Sequence, residues 1–153
     1  MNIKYILFFF NQLYKSCFTI YRPIYFAYKY WCDRDKIQLI NTYIKPGMKV
    51  LDIGANIGFY STILSRLVGK EGIVYAFEPE EDNFKFLGRL TKKLTNVKIA
   101  NVACGDKSAI TYLYKSKEMN IDHQVYDSGE SRQKIEVKMV TVDNYIRDEK
   151  QSI

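Results

Sequence analysis

A short apolar run, a glycine-rich turn and a helical pattern follow one another directly in this chain, and they constrain the fold more than any other segment. The run Lys49–Ile53 has the composition of a buried strand, and the turn Gly54–Gly58 (GANIG) carries two glycines. A helix is predicted to follow over residues 59–68 and to be closed by Gly69. This order of elements is typical of an α/β domain built on a parallel sheet.

The alternation of strand and helix continues downstream. Strands are predicted over residues 73–77, 97–102, 109–114 and 135–142, with a helix between the first two and a polar loop between the last two. That helix opens with the acidic residues Glu80–Asp82, whose charge suits the positive end of a helix dipole. Asp143 is predicted to cap a short helical turn. The fold class is therefore α/β, with a Rossmann-like, mostly parallel sheet.

The first part of the chain has a different character. Residues 1–48 hold seven basic and only two acidic side chains, and 12 of the 23 aromatic residues lie within the first 31 positions. Pro23 is expected to divide this arm into two helices, because proline disfavours a helix interior. A further helix is predicted over residues 36–44. We divide the chain into a basic, aromatic helical segment, 1–45, and an α/β body, 46–153.

The arm has several possible uses. Its longest uncharged stretch, Tyr5–Tyr14, has ten residues, whereas a membrane-spanning helix needs about 20. One interpretation is a helical pair that caps the body; another is peripheral membrane contact through residues 1–31, since aromatic and basic side chains both favour that interface. The aromatics form apolar runs rather than being interleaved with arginine and glycine, so we expect no nucleic-acid partner.

The chain is poor in groups that bind metals or form disulfides. Its three cysteines form no C-x-x-C pair, which favours free thiols in a reducing, cytoplasmic compartment. Cys104 is interpreted as a small buried hydrophobe. The single histidine, His123, argues against a His-rich metal site and a Ser-His-Asp triad, so no metal is expected. His123 beside Asp122 is either a general base or a surface residue.

The glycine turn fits two kinds of nucleotide-like ligand unequally. The dinucleotide fingerprint G-x-G-x-x-G, started at Gly54, requires glycines where the chain has Asn56 and Phe59. The methyltransferase-type turn D/E-x-G-x-G-x-G is matched by Asp52, Gly54 and Gly58, and Asn56 tolerates left-handed dihedrals. Glycines at 54 and 58 would let the backbone approach a ligand. The turn therefore favours S-adenosylmethionine over a nicotinamide dinucleotide.

Two carboxylates flank this turn. Asp52 either faces the ligand's ammonium group or holds the turn together. Glu78 follows the second strand and lies 24 residues after Gly54, where a carboxylate accepts hydrogen bonds from ribose hydroxyls in related folds. Asn101 ends the third strand, where an adenine ring or ordinary strand-end packing would account for it.

Several of these segments together resemble the FkbM family of S-adenosylmethionine-dependent methyltransferases. The matching stretches are residues 45–61 (KPGMKVLDIGANIGFYS), 74–79 (VYAFEP), 96–97 (NV), 103–107 (ACGDK) and 140–146 (VTVDNYI). The resemblance implies a Rossmann-like fold and methyl transfer to an oxygen of a sugar or another hydroxylated acceptor. By motif position it implies cofactor contacts at Asp52, Gly54, Asn56, Gly58 and Glu78. It assigns no catalytic residue.

The chain departs from the family in one respect. Family members continue into a fourth core strand with an Asp-x-Glu-Gly type motif, which would pair beside Lys49–Ile53, whereas this chain ends at Ile153. We therefore expect a portion of a methyltransferase that is inactive alone, with a sheet edge covered by a partner chain or a missing C-terminal half. The alternatives are a non-catalytic or vestigial cofactor-binding fragment with peripheral membrane association, and a nicotinamide-dependent oxidoreductase.

Overall fold

The computed structural model describes residues 12–14, 16–115 and 133–151. Its helices are α1 (Phe18–Cys32), α2 (Arg34–Tyr43), α3 (Phe59–Val68), α4 (Glu81–Thr91) and α5 (Val142–Gln151). Its strands are β1 (Lys49–Ile53), β2 (Ile73–Phe77), β3 (Val97–Ala100), β4 (Ala103–Cys104), β5 (Ala109–Lys115) and β6 (Gln133–Val140). The first two predicted strands and the helix between them are confirmed at their predicted bounds.

The main sheet is parallel and has the order β1-β2-β3. The central strand β2 is buried from Val74 to Phe77, as expected for a parallel strand that is covered on both faces. Parallel neighbours direct their carboxyl ends to one edge of the sheet, so the turn after β1 and Glu78 after β2 lie side by side. The predicted α/β class with a mostly parallel sheet is confirmed.

A second, smaller sheet follows, in the order β4-β6-β5. The prediction of a single strand over residues 97–102 is wrong. Strand β3 ends at Ala100, and the next strand, β4, belongs to the other sheet. At the break, the Asn101 side-chain amide donates to the backbone oxygens of Glu78 (2.8 Å) and Pro79 (3.2 Å). These side-chain bonds replace strand pairing beyond the end of β2. The predicted polar loop lies largely outside the described residues.

Helix α1 runs through Pro23 without a break, so the predicted division of the arm at this residue is wrong. Proline lacks the N–H that would bond to the carbonyl of Thr19. Thr19 lies in the exposed first turn, where water can satisfy that carbonyl. The helix ends instead at Cys32. The carboxylate of the C-cap residue Asp33 pairs with Lys29 and accepts a hydrogen bond from the Tyr60 hydroxyl at 2.7 Å.

The arm packs against the body with part of its aromatic surface. Tyr14 and Tyr21 form a buried cluster with Ile57 of the glycine turn. The Phe26 ring meets the Phe59 ring edge to face, at 5.1 Å between centroids. The interpretation of the arm as a cap on the body is therefore correct for this face of α1.

Helix α5 packs against β2 and β3 of the main sheet. It has ten residues, so the prediction of only a short helical turn capped by Asp143 is wrong. The Tyr145 ring packs edge to face on Phe77, with 4.9 Å between centroids, and Glu149 pairs with Lys98 of β3. Tertiary packing thus extends a helix whose sequence is largely polar.

Strand β1 lies at an edge of the parallel sheet in the part of the chain that the structure describes. Two of its apolar side chains, Leu51 and Ile53, are 45% and 58% exposed. The expected exposed apolar edge is therefore present at this strand. No helix within the described ranges is both long enough and apolar enough to cross a membrane.

Candidate functional site

The glycine turn leaves β1 with three residues in the left-handed region. Gly54 has φ 77°, Asn56 has φ 51° and Gly58 has φ 91°. The prediction that Asn56 takes a left-handed conformation is confirmed, and its Oδ1 accepts the Ile57 N–H at 2.8 Å. The N–H groups of Gly54 and Ala55 both donate to the Phe77 carbonyl at 2.9 Å. The turn is thereby fixed to the end of β2.

The two glycines of the turn face different surroundings. A Cβ added at Gly54 would meet nothing within 4 Å, whereas one at Gly58 would lie 2.9 Å from Leu87 Cδ1 of α4. Leu87 is fully buried. The backbone at Gly58 therefore makes its close approach to α4, and only Gly54 presents open space that a ligand could occupy.

Asp52 is the penultimate residue of β1 and is buried. Its Oδ2 accepts the Ser61 hydroxyl at 2.5 Å, and the backbone N–H of Ser61 also donates to this carboxylate. Burial raises the pKa of Asp52, and the two bonds from Ser61 oppose that rise. Through Ser61, Asp52 joins β1 to the first turn of α3 across the glycine turn, and its contact with a ligand's ammonium group stays a prediction.

Glu78 lies directly beside the turn, 5% exposed. Its Oε2 accepts the Asn56 N–H at 2.7 Å, and its Oε1 accepts the Glu80 N–H at 2.9 Å. The side chain of Asn83 also hydrogen-bonds to this carboxylate. A carboxylate has about four acceptor positions, so these three donors leave room for a further donor. Glu78 and the turn are thus brought together as the sequence predicts.

The protonation of Glu78 is unusual. Burial raises its pKa from 4.5 to about 7, against the opposing effect of the donors Glu80 N–H, Asn56 N–H and Asn83. The nearby Glu80 carboxylate contributes to this rise. A ligand that donates hydrogen bonds to the Glu78 carboxylate would favour its ionised form.

Sequence reasoning missed the capping arrangement of α4. The Glu80 carboxylate accepts the Asn83 N–H at 2.8 Å and caps the helix. This directed hydrogen bond is more specific than the dipole effect expected for this residue. Asn83 itself is fully buried. The spacing of three residues between the two could have indicated a cap. Nothing in the sequence indicates the contacts of Ser61 or Asn83 with the distant carboxylates.

A groove of about 580 Å³ lies between the start of α4 and strand β6, and its lining begins at Pro79, one residue after Glu78. Pro79 and Asn101, which follow β2 and β3, form one wall, and Glu136 and Lys138 of β6 form the other. Ligands in open α/β folds bind outside the carboxyl ends of the strands. The groove has that position.

The remaining candidates from the sequence are the cysteines, His123 and a metal site. Cys104 is partly buried, which raises the pKa of its thiol and disfavours a reactive thiolate. Cys17 and Cys32 are free as well. His123 lies outside the described residues. Within the described ranges, no group of three or more His, Cys, Asp or Glu side chains could hold a metal ion.

The residues present fit S-adenosylmethionine. Its ribose hydroxyls are donors that match the open acceptor capacity of Glu78, and the space over Gly54 admits a ligand close to the backbone. The Rossmann-like sheet and this site belong to the class of S-adenosylmethionine-dependent methyltransferases. The pattern that describes the methyltransferase FkbM domain matches residues 52–153. The chain belongs to this family, and S-adenosylmethionine is its cofactor.

Curated relatives match a shorter part of the chain. The rRNA 2'-O-methyltransferase fibrillarin 1 of Arabidopsis thaliana is 47% identical over 57 residues, which cover 37% of this chain and 18% of the relative. The ribosomal RNA large subunit methyltransferase E of Wigglesworthia glossinidia brevipalpis is 40% identical over 77 residues, covering 47% of this chain and 38% of the relative. The chain therefore spans about a fifth to two fifths of the length of these relatives.

Solved structures show limited overall similarity. The methyltransferase FkbM from Methylobacillus flagellatus KT is 13% identical with a TM-score of 0.43, covering 63% of this chain and 22% of that one. A SAM-dependent methyltransferase from Aquifex aeolicus is 36% identical with a TM-score of 0.39, covering 44% and 37%.

The expectation that the chain has no nucleic-acid partner is wrong. Relatives named as methyltransferases of ribosomal RNA match the chain. The expectation was drawn from the aromatic arm alone. A cofactor-binding fold of this kind is compatible with acceptors of different size, so the arm cannot exclude a nucleic acid. The dinucleotide alternative does not agree with the family to which the chain belongs.

Proposed function

We propose that this chain binds S-adenosylmethionine over Gly54 of the glycine turn and against Glu78, for methyl transfer to a sugar hydroxyl. The observation that carries the proposal is the buried Glu78 carboxylate, held by the Asn56 N–H at 2.7 Å beside the open face of Gly54. Ionised carboxylates accept hydrogen bonds more strongly than neutral groups. Two adjacent ribose hydroxyls match such an acceptor.

The roles of the residues follow from their positions. When bound, the cofactor supplies an electrophilic methyl group on a sulfonium centre, open to in-line attack by an oxygen. Gly54 leaves the space that the cofactor needs. Asp52 and Asn56 hold the turn, Asp52 through Ser61 and Asn56 through its left-handed backbone. Glu78 fixes the ribose, so orientation is the main contribution of this chain to the rate.

A sugar hydroxyl is the acceptor chemistry shared by two lines of support. The FkbM resemblance implies sugars and other hydroxylated molecules. The relatives named as rRNA 2'-O-methyltransferases act, by that name, on the 2'-oxygen of RNA, which is itself a sugar hydroxyl. A common nucleophile, a secondary alcohol on a sugar ring, therefore satisfies both.

The cofactor site is tested by calorimetric titration with S-adenosylhomocysteine at pH 8. Glu78→Gln is expected to weaken binding by about 1–3 kcal/mol, or roughly 5–150-fold, because a charge-assisted acceptor is lost. Glu71→Gln is the matched control, since Glu71 is exposed and precedes β2 at the opposite edge of the sheet. Equal affinities of the two variants would refute the role of Glu78.

The acceptor class is tested by saturation-transfer NMR in the presence of S-adenosylhomocysteine. One arm offers methyl glycosides and the other a short single-stranded RNA, and enhanced transfer to the sugar protons of either supports the proposal. Transfer to neither, with the cofactor bound, would contradict it.

The exposed stripe of α1 favours a second candidate function, peripheral attachment to an anionic membrane. The stripe consists of Ile20, Ile24, Tyr28 and Trp31, which are 54%, 44%, 58% and 73% exposed. Helical spacing places all four on one side. The surrounding N-terminal region, residues 1–48, carries seven basic and two acidic side chains. Apolar and aromatic rings beside positive charge suit the interface of anionic lipids.

Trp31 is the single tryptophan of the chain and reports directly on this contact. Vesicles of phosphatidylserine and phosphatidylcholine are expected to shift its emission to shorter wavelength, and salt should reverse the shift. Pure phosphatidylcholine vesicles are the control. An unchanged emission spectrum with anionic vesicles at low salt would remove this candidate.

A further inference from the structure

Tyr14 of the N-terminal arm contacts the residues around the cofactor site. Its hydroxyl donates to Asn83 Oδ1 at 2.7 Å, across 69 positions of sequence. Both residues are buried, Tyr14 to 5% exposure and Asn83 to 0%. A hydrogen bond between two buried side chains so far apart in sequence is formed only when the arm is docked.

Aromatic packing fixes the position of the Tyr14 hydroxyl. The ring lies edge to face against Phe86 of α4, with 5.0 Å between centroids, and against Tyr21 of α1 at 5.3 Å. Ile57 of the glycine turn belongs to the same buried cluster. The arm, the turn and α4 thus share one core, and the hydroxyl projects from it towards Asn83.

The hydroxyl determines which way the Asn83 amide points. Burial, with the charges of Glu80 and Asp82 nearby, raises the pKa of Tyr14, so its hydroxyl keeps the proton and acts as donor. An amide that receives this bond must present its oxygen to Tyr14. Its NH2 group is then directed to the other side, where the Asn83 side chain hydrogen-bonds to Glu78.

We propose that Tyr14 and Asn83 form a positioning pair that holds the Glu78 carboxylate in the orientation in which it receives the cofactor ribose. This inference rests on the proposed role of Glu78. Two backbone N–H groups, of Asn56 and Glu80, hold one oxygen each, and the amide of Asn83 supplies the third donor. The arm is therefore a functional part of the cofactor site as well as a cap.

The pair also sets the charge of Glu78. The Asn83 bond favours the ionised form against burial and against the neighbouring Glu80 carboxylate. Among the described residues, the titratable groups around this network are the N-cap Glu80 and Asp82 of α4, with Tyr14 and Tyr21 from the arm. Loss of the Asn83 donor should raise the pH at which Glu78 ionises, since burial and the Glu80 charge would still raise its pKa.

The test is the affinity for S-adenosylhomocysteine of the full chain, titrated between pH 5.5 and 8.5. Tyr14→Phe keeps the ring and removes the hydroxyl, so it is expected to weaken binding about fivefold at pH 7 and less than about twofold at pH 8.5. Asn83→Ser is expected to show the same pH-dependent loss with a larger amplitude. Tyr21→Phe, in the same aromatic cluster, is the control and should match the unmodified chain.

The pH dependence of the loss separates the possible outcomes. A loss that diminishes as pH rises, and that disappears in the Glu78→Gln background, supports the positioning pair. A loss of equal size at every pH indicates a merely structural effect and overturns it, as does unchanged binding in both variants. If Glu78→Gln alone binds normally, the proposed function of Glu78 fails, whereas a sensitive Glu78→Gln with an insensitive Tyr14→Phe refutes only the positioning pair.

Discussion

The contrast between Gly54 and Gly58 allows a quantitative prediction about the glycine turn. Both residues have positive φ, 77° and 91°, so alanine is strained at either position. Only at Gly58 does a Cβ meet protein, 2.9 Å from Leu87 Cδ1 and 3.2 Å from Leu90 Cδ2. We expect Gly58→Ala to act chiefly on stability and Gly54→Ala chiefly on cofactor affinity.

The magnitude follows from two terms. A left-handed conformation costs a residue with a Cβ about 1–2 kcal/mol. Overpacking against the fully buried Leu87 adds about 1–3 kcal/mol, because this side chain has little room to shift. The free energy of unfolding should therefore fall by about 2–5 kcal/mol for Gly58→Ala and about 1–2 kcal/mol for Gly54→Ala. The larger value is a substantial part of the total stability of a domain, about 5–15 kcal/mol.

Urea unfolding followed by circular dichroism measures this difference. With a slope of about 2 kcal/mol/M, the midpoint should fall by roughly 1–2.5 M for Gly58→Ala and by roughly 0.5–1 M for Gly54→Ala. Leu87→Val removes the contacting methyl position, so in the Gly58→Ala background it should cost less than it does in the unmodified chain. Equal midpoints for the two alanine variants, or a lower one for Gly54→Ala, would refute the reasoning.

Two further predictions concern the carboxylates. Ser61→Ala should lower the free energy of unfolding by about 1–3 kcal/mol, because the buried Asp52 loses the hydroxyl that donates to it at 2.5 Å. Ser108→Ala, at an exposed serine, is the control. Equal urea midpoints for the two variants would contradict the role of Ser61. For Glu78, the folded pKa of about 7 lies above its ordinary 4.5, so the native state binds the proton more tightly than the unfolded state. The protonation of Glu78 contributes fully to the free energy of unfolding below pH 4.5. This contribution decreases by about 2–3 kcal/mol as pH rises to 7. Urea midpoints measured between pH 5 and 7 should show this decline, and Glu78→Gln should lack that share of it; the same slope in both chains would exclude Glu78 as its source.

Much of the fold was predictable because it rests on local patterns. The apolar run of β1, the glycine turn and the helix that follows are coded within a few residues of one another. The left-handed Asn56 is likewise a local preference of asparagine. Glu78 could be placed near the turn because the carboxyl ends of adjacent parallel strands meet at one edge of the sheet.

Failures of prediction occurred where local preference met tertiary contact. Pro23 lies inside a continuous α1, since packing of the arm on the body outweighs the local preference against proline. The strand predicted to run through Asn101 ends early, because that side chain bonds to the end of β2. The polar sequence of α5 forms a longer helix than expected, with Tyr145 packed on Phe77.

The sequence by itself determined the parallel α/β core, the turn and the carboxylate beside it, because apolar periodicity and glycine placement act over short distances. Only the tertiary structure decided that Gly58 serves packing against Leu87, that Asp52 holds Ser61, and that Tyr14 reaches Asn83. These contacts join positions that no local pattern connects. Their partners are chosen by the shape of the assembled core, where each buried polar group must find a hydrogen bond.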